Sequence, residues 1–425
     1  GTMAPGMKES RAVLFLSYYG PEEAASGIRA GRLARAAALA GERVLFLYGS
    51  KEGGRERWVH GVELVSFQRR SVPSLIRPPV EAVRGTGRRG WIKRAVATTA
   101  RAFVQPDWFV LSGGAFAQSA IVSIERLANS GHSAVLVASA PPWSTALLAA
   151  RVARRTNTPL VADLQDLWAS NPVAHWPPFG QRRAARWERQ LLAAANGFLF
   201  VNEETQRRFE DRSPLARTKP SAIAPIGLEQ SIQQRLHVAA QMPLRIGYFG
   251  SIYGDRSFEV LLKGIASLGG SVPKPTLHWY GELMGDHHIS ACLHHYVSGG
   301  TLVLHPSLPY QAAREAMRSY DLLLVIPSPR YPEELTTKFY DYVDAGRPVL
   351  ALASPNSLLH ALVTRSQVGV VASPSDVTAV RGLLERVIRS GLTLIPQPDA
   401  LESHRLPALT ASIVKVLDAI RPIAE

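Results

Sequence analysis

A chain of 425 residues, 46% of them apolar and with a mean hydropathy near zero, is long enough for roughly two or three domains and too apolar to be disordered. Its one cysteine, Cys292, excludes an internal disulfide and a cysteine-rich zinc site, and fits a reducing compartment. The formal charge of +14 suits anionic partners. A lipid surface or a phosphorylated substrate fits better than nucleic acid, because no zinc-finger, RNA-recognition or helix-turn-helix pattern accompanies the charge.

Residues 1–10 read as a tag-like, disordered start, and the first apolar run, Ala12–Leu16, is too short for a signal peptide. No run of about 18 apolar residues occurs, so no membrane-spanning helix is expected. Ala12–Ser17 predicts a buried strand, Ser26–Ala40 a helix and Arg43–Tyr48 the next strand. The segment Arg84–Arg101 holds Arg84, Arg88, Arg89, Lys93, Arg94 and Arg101 around Trp91 and Ile92. That pattern suits a basic amphipathic helix lying on an anionic membrane, or a solvated surface helix. Strands are expected at Trp108–Leu111, Ala134–Ala138, Leu160–Asp163 and Phe198–Val201, with helices between most of them. The polar residues 229–243 read as a linker.

A second series follows. Strands are expected at Leu244–Phe249, Thr276–Tyr280, Leu302–His305, Leu322–Ile326, Val349–Leu352 and Gly369–Ala372, with a helix over Ser257–Leu268. The segment Leu409–Ile420 has helical spacing. Strands alternating with helices predict an α/β fold of two doubly wound, Rossmann-like domains facing a cleft. The domains are expected at 11–228 and 244–405, with 406–425 as a helix crossing back to the first. Ligands of such sheets bind at the carboxyl ends of the strands.

Two loops after strands carry candidate chemistry. The first is Gly247–Ser257, where Gly250 lets a ligand approach the backbone, Gly254 permits a tight turn and Arg256 attracts phosphate. Its glycine spacing is not that of the dinucleotide fingerprint. The second runs from Arg330 to Leu350. Pro327, Pro329 and Pro332 disfavour helix before Glu333, and Thr336 or Thr337 is placed to cap the helix through Phe339, Tyr342 and Val343. The N–H groups at its start would face a diphosphate, with Lys338 adding charge. Asp341, one turn in, suits ribose hydroxyls, and Glu333 suits sugar hydroxyls or a developing cation. His287, His288, His294 and His295 lack the close spacing of a zinc site and read as a surface helix.

Glu333 and Asp341, with the TTKFYDYVDAGRPVLA wording around them, carry a family resemblance. The stretch resembles the donor site of family 4 glycosyltransferases of the GT-B fold, whose hallmark is a glutamate, seven residues and a second glutamate. Asp341 stands for the second. Tyr18–Arg29, Val161–Trp168 and Ile226-Gly227 are similar to further segments of that family, so the resemblance runs over most of the chain.

It implies a retaining transferase using a nucleotide-diphosphate sugar of UDP or GDP type, without other cofactor. The donor would sit on the second domain and the hydroxyl acceptor on the first. Glu333 would contact the transferred sugar, the N–H groups of Leu335, Thr336 and Thr337 would hold the diphosphate, and Asp341 the ribose. Gly250, Ser251, Arg256 and Lys338 complete the donor side. Ser251 and Arg256 stand where the family often has an arginine and a lysine.

Gly27, Arg29, Ser139 and Trp168 are assigned to the acceptor side. Asp166 joins Glu333 as a catalytic candidate, while Asp163 reads as a turn cap. Ser139 stands where several members have a histidine. No Asp-x-Asp motif occurs, so a metal-independent donor site is expected. The charge and the Arg84–Arg101 segment point to a lipid-linked or cell-envelope polysaccharide acceptor, and to a cytoplasmic enzyme peripheral to the inner face of the membrane. A small natural-product acceptor, a sugar-nucleotide epimerase of the same fold and a non-catalytic scaffold are the alternatives. A scaffold would be expected to have lost the donor carboxylates.

Overall fold

The computed structural model describes residues 11–50, 53–68, 113–173, 178–252, 255–281 and 287–420. The expected strand Trp108–Leu111 and the basic segment Arg84–Arg101 lie outside them. The chain divides into two compact units, Gly1–Gly227 with Leu406–Glu425, and Leu228–Arg405.

In the first unit the strands are β1 (Ala12–Leu16), β2 (Arg43–Ser50), β3 (Gly54–Arg57), β4 (Glu63–Gln68), β5 (Ala134–Ala140), β6 (Leu160–Leu164), β7 (Gly197–Phe200) and β8 (Ser221–Ile223). They form one sheet in the order β3-β4-β2-β1-β5-β6-β7-β8, parallel except for the edge strand β3. The helices are α1 (Ala24–Leu39), α2 (Gly113–Asn129), α3 (Trp143–Thr156), α4 (Pro178–Ala194), α5 (Glu203–Arg212) and α6 (Pro214–Arg217). The strand β1, all apolar, is buried along its whole length, as a central parallel strand covered on both faces must be.

From β10 onward the second unit alternates strands and helices. It contains β9 (Leu236–Val238), β10 (Arg245–Phe249), α7 (Glu259–Ala266), β11 (Thr276–Tyr280), α8 (His287–Ser298), β12 (Leu302–His305), α9 (Tyr310–Met317) and β13 (Leu322–Val325). Then follow α10 (Thr337–Asp344), β14 (Val349–Leu352), α11 (Leu358–Ser366), β15 (Gly369–Ala372), α12 (Val377–Ser390) and β16 (Leu392–Leu394). Six strands make a parallel sheet in the order β12-β11-β10-β13-β14-β15. Strand order reverses between β10 and β13, so the loops after these two strands diverge and leave a crevice at their carboxyl ends.

Both doubly wound sheets are as the alternating pattern predicts. Residues 229–243, expected to be a linker, instead contain β9, which pairs antiparallel with β16 inside the second unit. The last helix, α13 (Leu406–Ala419), belongs to the first unit. Arg11, 4% exposed, donates to the Leu417 carbonyl at 2.6 Å, and Ser412 Oγ donates to the Ile223 carbonyl at 2.6 Å. Gly197 makes room for α13: a Cβ there would lie 2.8 Å from Val416. Among the described residues no helix is long and apolar enough to cross a membrane.

Candidate functional site

The switch point of the second unit is built from the loop after β10 and the loop after β13. Gly250 ends the first strand with φ +123°, a region that side chains rarely adopt. Its N–H donates to the Tyr280 carbonyl at 2.8 Å, and its carbonyl accepts from Trp279 Nε1 at 2.9 Å. A Cβ on Gly250 would lie 2.7 Å from Lys338 Cε and 3.0 Å from its Nζ. The bare backbone of one loop therefore touches the lysine at the start of α10. Tyr342 ties the same two elements together, its Oη accepting from the Phe249 N–H at 3.0 Å. Burial drives the Tyr342 phenol well above its ordinary pKa, so it stays neutral.

The loop after β13 is stiffened by Pro327, Pro329 and Pro332. Two turns follow, with Tyr331 N–H donating to Ser328 O and Glu334 N–H to Tyr331 O, both at 3.0 Å. Glu333 is 8% exposed. Thr336 occupies the N-cap position in extended conformation, but no side-chain cap bond forms, contrary to the capping role expected of Thr336 or Thr337. Its Oγ1 is buried without a hydrogen-bond partner among the described residues. The start of α10 thus leaves its N–H groups without the usual side-chain oxygen, at the positive end of the helix dipole. Phe339, Tyr340, Tyr342 and Val343 anchor the helix in the core.

Asp341, 5% exposed, accepts a hydrogen bond from Tyr310 Oη at 2.8 Å. Next to this pair, Arg314 bonds Glu229 at 2.7 Å, and Asp344 accepts from the Gln230 N–H at 2.9 Å. Arg256, 5% exposed, is paired with Glu334, whose other oxygen accepts from the Ser328 N–H at 2.8 Å. Asp255 accepts from Ser328 Oγ at 2.8 Å and Arg330 Nε at 3.0 Å. Burial would raise the Asp255 pKa, but hydrogen bonds from Arg330, Ser328 and its own backbone outweigh it and lower the value.

Lys338 is pushed down to about 8, first by burial and then by Arg256, against the opposing pull of Glu334 and Asp341. Beside Gly250, Phe249 stacks on Tyr280 at 4.7 Å and Tyr280 on His305 at 4.2 Å, a wall of rings at the strand ends. The structure therefore gathers Gly250, Arg256, Glu333, Leu335, Thr336, Thr337, Lys338 and Asp341 in one unit at one switch point. Ser251 sits beside them, its carbonyl accepting from Tyr248 Oη at 3.3 Å. Tyr310 and Tyr342 are additions. Tyr310 comes from a different helix, and nothing in its local sequence marks it.

The residues expected on the acceptor side are placed differently. Arg29, 1% exposed, and Asp163, fully buried, form an ion pair with Nη2 to Oδ1 at 2.7 Å, and Ser139 Oγ donates to Asp163 Oδ2 at 2.8 Å. Asp163 is thus the centre of a buried polar triad, not a turn cap. Trp168, fully buried, stacks on Trp143 at 4.6 Å and lies 6.5 Å from Trp187. Gly27 lets α1 cross the loop after β1: a Cβ there would fall 2.1 Å from the Gly20 carbonyl oxygen. Gly27, Arg29, Ser139 and Trp168 are committed to packing and offer no surface to an acceptor. Asp166 alone of the expected set keeps some exposure. Replacing Asp163 with Asn should cost about 3–5 kcal/mol, because the buried Arg29 charge loses its counterion; urea unfolding measures this. The two described histidine side chains of α8, His294 and His295, are exposed, as expected of a surface helix.

No family model and no curated protein sequence matches the chain. Solved structures do match in fold. Anabaena HepE in complex with UDP-glucose is 13% identical, with a TM-score of 0.59 over 96% of this chain and 99% of that one. Sucrose-phosphate synthase from Thermosynechococcus elongatus is 13% identical, with a TM-score of 0.57 over 97% and 95%. The N-terminal domain of Candida albicans trehalose-6-phosphate phosphatase is 12% identical, with a TM-score of 0.52 over 98% and 95%. The fold is GT-B, two parallel-sheet α/β units, as the resemblance implied.

Proposed function

We propose that the protein is a glycosyltransferase whose second unit binds a UDP-type nucleotide sugar at the start of α10. It transfers the sugar, with retention, to a hydroxyl of a lipid-linked or cell-envelope polysaccharide acceptor. The observation that carries this reading is the burial of Glu333 and Asp341 on either side of a helix start that touches the bare backbone of Gly250. HepE, of the same fold, has been solved with UDP, with UDP-glucose and with UDP and glucose, which favours the uridine donor.

Each part has a physical task. A departing diphosphate gains negative charge as the sugar becomes oxocarbenium-like. The N–H groups of Leu335, Thr336 and Thr337 are oriented before the reaction and meet that charge without a metal. Glu333, in the proline-stiffened loop, meets the positive sugar. Asp341 accepts from the ribose hydroxyls, and the Tyr310 hydroxyl fixes its orientation. Tyr310→Phe should therefore weaken UDP affinity about fivefold, close to 1 kcal/mol for one hydrogen bond, as titration calorimetry reads. Asp166 serves the acceptor side. The charge of +14 favours an anionic surface and supports reading the enzyme as cytoplasmic and peripheral to the inner face of the membrane.

A thermal-shift panel of UDP, GDP, ADP, dTDP and CMP sugars tests the reading. UDP sugars should raise the melting temperature; no shift from any of them would remove it.

A further inference from the structure

We propose that the Lys338 ammonium alone supplies the formal charge on the diphosphate, and that Arg256 is a latch between the two loops of the site. This rests on the donor reading above. It differs from what the family resemblance implies, since Arg256 stands at the position of a phosphate-gripping cation there.

The geometry divides the two cations. Arg256 is buried against Glu334, and Glu334 is itself held by the Ser328 N–H. That chain, with Asp255 holding Ser328 and Arg330, fastens the loop after β10 to the loop after β13. Arg256 thus already has a carboxylate on its guanidinium, and moving it to phosphate would leave the partly buried Glu334 without its cation. Lys338 has no such partner. Its Nζ lies against Gly250 and 5.4 Å from the centre of the Tyr248 ring, with no ion pair or hydrogen bond among the described residues. It is the second residue of α10, whose first N–H groups have no partner within the helix and no side-chain cap. Ser251, one residue after Gly250, brings no charge. The helix start, the glycine backbone and one ammonium therefore converge on one place.

The charged and titratable groups facing Lys338 are Arg256, Glu334, Asp341 and Tyr248. Arg256 disfavours its protonated form, and the two carboxylates favour it. A diphosphate binds the protonated amine. Affinity is therefore full below the free pKa of about 8 and falls as pH rises through it, by up to tenfold per pH unit.

The test is the dissociation constant of UDP for the full chain, by titration calorimetry from about pH 7 to about pH 9. The parent should weaken across this range, Lys338→Arg should bind with no such slope, and Lys338→Ala should bind at least about tenfold more weakly at pH 7 with an unchanged melting temperature. Arg256→Gln should lose thermal stability, yet keep the slope with its break moved to higher pH, because a repelling charge has gone. A flat profile in the parent, or a Lys338→Ala variant that binds like the parent, overturns the proposal and leaves the donor reading standing. A parent with no affinity for any nucleoside diphosphate removes both.

Discussion

Glu333→Gln should lower the rate of sugar transfer by about a hundred- to a thousandfold, the usual effect of removing one preorganised group from a transition-state charge. The substitution keeps the size but removes the negative charge and turns one accepting oxygen into a donating NH2. At 8% exposure that charge is held where solvent screens it poorly, so its loss weighs on the developing sugar cation. UDP lacks the transferred sugar that Glu333 meets, so its affinity should stay within about twofold, and the melting temperature should barely move. Initial rates with the donor identified by thermal shift, together with calorimetry of UDP, separate these effects. An unchanged turnover number would take Glu333 out of the chemistry.

Gly250→Ala should nearly abolish nucleotide binding and also cost stability. The backbone at φ +123° is strained for any side chain, at about 1–3 kcal/mol. The new methyl would also stand 2.7 Å from Lys338 Cε and 3.0 Å from Nζ, so the ammonium has to leave its place. Both consequences fall at the switch point: the loop loses close approach to a ligand and the helix start loses its cation. The expected readings are a lower melting temperature and no UDP heat at concentrations that saturate the parent. An alanine variant that binds UDP normally would show that Gly250 serves the turn alone.

The donor side was legible because its signals are local. Three prolines before Glu333 and the helical spacing of Phe339, Tyr342 and Val343 mark a loop entering a helix without any knowledge of tertiary contacts. The pairing of Tyr310 with Asp341, 31 residues apart, and of Arg256 with Glu334, 78 apart, depends on which strands are neighbours, and local pattern does not encode that.

The acceptor side shows the opposite failure. Arg29 and Ser139 are the residue types that meet ligands, yet both close on Asp163, and the partners Arg29 and Asp163 are 134 residues apart. Trp168, assigned to the acceptor side, is a core ring against Trp143. The edge strand β3, Gly-Arg-Glu-Arg, was invisible because a solvated edge carries no apolar alternation; its hydrogen bonds to β4 alone define it.

The most direct measurement is a crystal structure of the protein with UDP. The diphosphate is expected at the start of α10, within hydrogen-bond reach of the Leu335, Thr336 and Thr337 N–H groups and of Lys338 Nζ, with the ribose on Asp341. UDP bound elsewhere, or a diphosphate held by Arg256 with Lys338 turned away, would contradict this placement.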